Sequence, residues 1–82
     1  MNELAKQLRE AGFPYKTAED FDYLPPLSEL IEACGVHFLT LERYEAAYWV
    51  ARGICGEYQN GIRGENAESV VAKLWLWIDL NK

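Results

Sequence analysis

The sequence predicts an α+β fold, helices packed on a three-stranded antiparallel meander in the order α-α-β-β-β-α. Three observations carry that expectation. Residues 66–82 (N-A-E-S-V-V-A-K-L-W-L-W-I-D-L-N-K) place Val70, Val71, Leu74, Trp77 and Ile78 on one apolar stripe at helical spacing. After Gly35 the period changes to two, and V-H-F-L-T-L-E (36–42) is rich in β-forming residues. Turn-compatible residues and glycines, including Asn60-Gly61, then punctuate the chain as a meander requires. Eighty-two residues make a single domain. It divides into an N-terminal helix (1–12), an extended aromatic and acidic loop (13–26) and a core (27–82).

In the first helix, residues 2–11, Leu4, Leu8 and Ala11 with Ala5 form a narrow stripe, and Gly12 is the expected C-terminal stop. So short a helix must dock on something. Residues 13–26 have neither period, and Pro14, Pro25 and Pro26 favour extended backbone before them. Two readings fit this loop: Phe13, Phe21 and Leu24 strap it over the core, or Tyr15, Asp20, Asp22 and Tyr23 form a patch for a partner. The second helix, 27–34, aligns Leu27, Leu30, Ile31 and Cys34 inward and turns Glu29 and Glu32 outward.

The strands are expected at 36–42, 46–52 and 54–59, with R-Y-E (43–45) as the first turn and Asn60-Gly61 closing the third strand. Alternation splits the second strand into Tyr48, Val50 and Arg52 on one face and Ala47, Trp49 and Ala51 on the other. The small alanines beside Trp49 mark the face pressed against a helix. Tyr48, Arg52 and Tyr58 are then expected on the open face, as a partner-binding group.

The closing helix is capped by Asn66, with Glu68 and Lys82 placed favourably for the helix dipole. Ala72, Leu76 and Leu80 form a second apolar line that the sheet cannot cover. Either the first helix covers it or it is a homodimer face. Trp75, between the two lines, is the tryptophan expected to be partly exposed.

The composition narrows function by exclusion. Thirteen acidic against eight basic residues give a net charge of −5, and the four arginines, 9, 43, 52 and 63, are scattered. That argues against direct nucleic-acid binding. The acidic surface is either a solubility device or suited to a basic protein partner, the DNA-binding groove of another protein included. No apolar run reaches the roughly 20 residues of a membrane span, and the charged amphipathic N-terminus does not read as a signal peptide. A cytoplasmic location is the expectation.

No nucleophile–base arrangement is visible, so the chain is read as non-catalytic, with no cofactor. Cys34-x-x-His37 is half a zinc site, but the chain has one other cysteine and no other histidine, so metal binding is not expected. The glycine clusters lack the lysine of a phosphate loop. Arg63, just ahead of a helix N-terminus, is the one candidate for holding an anion.

P-P-L-S-E-L-I-E-A-C-G at 25–35 and the closing A-E-S-V-V-A-K-L-W-L-W-I-D-L-N-K resemble short uncharacterised proteins encoded by bacteriophages and prophages. Those often carry Thr-Pro where this chain has Asn66-Ala67. The resemblance spans about half of the chain, mainly core positions, and brings no binding residue with it. It implies a fold and an origin. Small size, acidic charge, the lack of a catalytic constellation and the aromatics of residues 13–26 and the open sheet face then point to an interaction protein of phage type, such as an inhibitor of a host defence or regulatory protein. A weaker similarity is to small β-β-β-α antitoxins. A nucleotide or metabolite binder and a self-assembling structural module are the remaining alternatives.

Overall fold

The computed structural model describes residues 3–14, 24–45 and 47–81. The elements are α1 (Glu3–Glu10), α2 (Leu27–Cys34), a 3-10 turn (Gly35–His37), β1 (Phe38–Tyr44), β2 (Tyr48–Cys55), β3 (Tyr58–Gly64) and α3 (Ala67–Asn81). The sheet is an antiparallel meander, β1-β2-β3. The α+β order expected from the sequence is therefore the order of the fold.

Both helix-end expectations hold at atomic detail. Gly12 has φ +84, its N–H donates to Arg9 O at 3.1 Å, and the Phe13 N–H donates to Leu8 O at 2.9 Å. That pair of bonds is a Schellman motif, which needs a left-handed residue at Gly12. At the other end of the chain, Asn66 Oδ1 accepts the Ser69 N–H at 2.8 Å, so α3 starts on its predicted cap.

α3 lies across the sheet and is buried on two sides. Towards the sheet, Val70 and Leu74 press on strand glycines. A Cβ built on Gly64 would meet Val70 Cγ1 at 2.8 Å, and one on Gly53 would meet Leu74 Cδ1 and His37 O at 2.8 Å. Glycine at 53 and 64 thus lets the helix approach the strands closely. Away from the sheet, α3 packs against α1 and α2 through a core containing Leu8, Phe13, Leu30, Cys34, Ala72 and Trp75. Ala72 is fully buried and Leu76 half-buried, while Leu80 stays 84% exposed. α1 and α2 therefore cover the start of the second apolar line and leave its end open.

One expectation about this helix fails. Trp75 is 4% exposed, because the Phe13 ring packs against it edge-on, centroid to centroid 5.0 Å. Trp49 and Trp77 are the half-buried tryptophans.

The strands are displaced from their predicted bounds. Residues 35–37 form a 3-10 turn instead of starting β1. His37 fixes it, its Nδ1 lying 2.9 Å from Ile54 O. A carbonyl only accepts, so Nδ1 carries the proton. Arg43 and Tyr44 belong to β1, and the first turn begins at Glu45, with φ +53. The second turn falls at Gly56-Glu57, not at Gly53, and no turn follows at Asn60-Gly61. Gly56 has φ +64, the positive φ that a type II′ turn demands of its first central residue, and Cys55 pairs with Tyr58 across it. Asn60 and Gly61 sit inside β3, opposite Gly53 and Arg52. No helix among the described residues is long and apolar enough to cross a membrane.

Candidate docking face

Residues directly paired across an antiparallel ladder point to the same side of the sheet. The register therefore sorts every strand residue. Trp49, Ala51, Gly53 and Cys55 face α3. The opposite face carries Thr40, Glu42 and Tyr44 from β1, Tyr48, Val50, Arg52 and Ile54 from β2, and Gln59, Gly61 and Arg63 from β3. No described helix lies over this second face.

Its aromatic and charged side chains are organised. Tyr44 and Tyr48 stack where β1 and β2 meet, centroids 5.4 Å apart and planes 19° from parallel. The Arg63 guanidinium lies 5.4 Å from the Tyr48 centroid, so Tyr48 joins a tyrosine on β1 to an arginine on β3. The Tyr44 hydroxyl donates to Glu42 Oε2 at 2.6 Å and accepts a long bond from Arg52 Nη2 at 3.4 Å. Rings held this way are fixed before any partner arrives, which lowers the entropy cost of docking on them.

Beside this group is a shallow depression of about 210 Å³ lined by Leu39, Arg52, Gly53, Gln59, Asn60 and Gly61. Pockets that enclose a small molecule run to roughly 300–1,000 Å³ and bury most of the ligand. This depression is below that range and open, so it suits one side chain of a larger partner better than a whole nucleotide.

The residues expected from sequence fall into three sets. Tyr48 and Arg52 share the open face. Tyr58 does not: it pairs with Cys55, so it lies on the helix side at the end of the sheet, 71% exposed. The cause is the turn at Gly56-Glu57, which sets the parity of β3. Arg63 belongs to the open face and rests on Tyr48, away from the start of α3, whose Ser69 N–H is already satisfied by Asn66. Tyr15, Asp20, Asp22 and Tyr23 lie outside the described residues.

Glu42, Tyr44 and Gly61 also lie on this face; the sequence reads Tyr44 and Gly61 as turn residues and so does not point to them. A parity count through a first turn at Glu45 would have found Tyr44. Cys34 and Cys55 are buried and form no disulfide, and Cys55 Sγ donates to Asn81 O at 3.1 Å, holding the end of α3 to β2. Among the described residues no three His, Cys, Asp or Glu side chains converge as metal ligands would.

The chain matches no protein-family profile, no curated protein and no solved structure.

Proposed function

We propose that this chain is a non-catalytic interaction protein that docks on a protein partner through the open face of its sheet. The single observation that carries this reading is the ordered row Tyr44–Tyr48–Arg63, with Arg52 beside it, on a sheet face that no described helix covers. Tyrosine and arginine are the residue types on which binding energy concentrates at protein interfaces, and here they are preorganised on a rigid scaffold. The resemblance of residues 25–35 and of the closing helix to short phage proteins supports a narrower form. In that form the partner is a host defence or regulatory protein, inhibited by occlusion.

The test compares two baits in the same bacterial lysate, the wild-type chain and a Tyr44→Ala/Tyr48→Ala variant of unchanged melting temperature. A protein retained by the first and lost from the second is the expected outcome. Identical recovery by both baits would remove the open face from the function.

A further inference from the structure

We infer that the open face takes an acidic polypeptide segment, with a Glu or Asp side chain of the partner seated in the notch between Arg52 and Gly61. This rests on the docking reading above and assigns the partner a chemistry.

Gly61 is the first support. It lies in the middle of β3 directly opposite Arg52. Its φ is outside the left-handed region, and an added Cβ would meet Arg52 Cγ and Val50 Cγ1 at 3.7 Å, ordinary contact. Neither the backbone nor a close neighbour requires glycine there, unlike at Gly53 and Gly64. Glycine weakens a strand interior, so an unforced one is a cost without a folding reason. Its effect on the structure is the depression that Gly61 and Arg52 line together, with the Arg52 stem against Gly61.

The arginines are the second. Arg52 pairs with Gly61 and Arg63 with Val50, so the two are diagonal neighbours on one face. In a chain with thirteen acidic residues, neither forms an ion pair among the described residues. Arg63 lies over a ring, and Arg52 spends one N–H on a long bond to a hydroxyl. Most of the Arg52 donor fork is unspent, and a planar fork of that kind matches a carboxylate. Two like charges side by side on a sheet repel each other, and an anion between them relieves this.

Charge also selects among anions. The face carries two arginines against the carboxylate of Glu42, on a molecule of net charge −5. A nucleic acid needs a track of cations under successive phosphates and would be repelled by the rest of this surface. An isolated carboxylate with apolar or aromatic neighbours needs only the notch and the tyrosine row. A basic partner, which the acidic composition alone suggests, would meet the wrong sign here.

The test is an amide NMR titration of the full chain with three probes. These are the blocked acidic peptide Ala-Tyr-Glu-Tyr-Ala, the blocked basic peptide Ala-Tyr-Lys-Tyr-Ala, and a five-nucleotide oligothymidylate. The acidic peptide is expected to shift the amides of residues 52 and 59–63, with an affinity that falls as salt rises. Arg52→Glu should weaken it about tenfold or more, the loss of a charge-assisted hydrogen bond. Gly61→Val should leave the melting temperature equal or higher and still weaken the peptide about tenfold, because it fills the notch; Gly61→Ala is the smaller alternative.

Binding of the acidic peptide unchanged by Gly61→Val and Gly61→Ala would overturn the notch. Stronger binding of the basic peptide or the oligonucleotide at the same amides would overturn the acidic assignment while leaving the face a docking surface. Perturbation by none of the three would overturn the inference alone, since the comparison of lysate baits judges the docking reading separately.

Discussion

At the residue scale, backbone geometry and close contacts decide what a position tolerates. Gly53 has no room: a Cβ there would sit 2.8 Å from a backbone oxygen and from Leu74. Gly53→Ala is expected to destabilise by about 1–3 kcal/mol, the usual cost of overpacking. Urea titration would show it as a lower midpoint at unchanged slope. Glu45 presents the opposite case, a non-glycine residue at φ +53 in the first hairpin turn. Asparagine tolerates that region better, so Glu45→Asn should raise stability by about 0.5–1 kcal/mol. On a domain this size about 1 kcal/mol moves the melting temperature by roughly 4–8 °C, which calorimetry resolves.

Elements are held by their ends and by single wedges between them. The Asn66 side chain is the partner of the Ser69 N–H at the start of α3. Asn66→Ala is therefore expected to cost about 1 kcal/mol, measured by thermal unfolding. Phe13 is the wedge that ties α1 to α3 through Trp75. Phe13→Ala should cost roughly 3–5 kcal/mol and expose Trp75, shifting tryptophan emission to the red. Unshifted emission with the same loss of stability would mean that α1 docks without Phe13. The helix ends were legible in the sequence because caps act over three or four residues. The burial of Trp75 was not, since it depends on a ring that the chain brings back from more than sixty positions away.

The whole molecule is a three-layer arrangement of sheet, α3, and the pair α1 and α2. The second apolar line of α3 is closed at Ala72 and open at Leu80. An isolated exposed leucine is ordinary for a monomer surface. Leu80→Glu should leave both stability, within about 0.5 kcal/mol, and molecular mass in light scattering unchanged. A wild-type dimer that becomes a monomer in this variant would instead place Leu80 in a homodimer interface. The two-sided burial of α3 also leaves the far face of the sheet as the broad surface from which a partner can be met.

What the sequence by itself determined were the kinds of element, their order, the stop at Gly12, the cap at Asn66, and the sheet-facing stripe of α3. Each depends on neighbours within a turn or two of the chain. Only the tertiary structure decided that the second hairpin closes at Gly56-Glu57, inside the expected third strand, with Gly53 and Asn60-Gly61 both lying within strands. That choice fixes the register. In a strand, a shift of one residue moves every side chain to the other face. Tyr58 accordingly left the open face and Gly61 joined it, as Tyr44 did through the first turn at Glu45, and the candidate docking surface took its composition from pairings that local sequence does not specify.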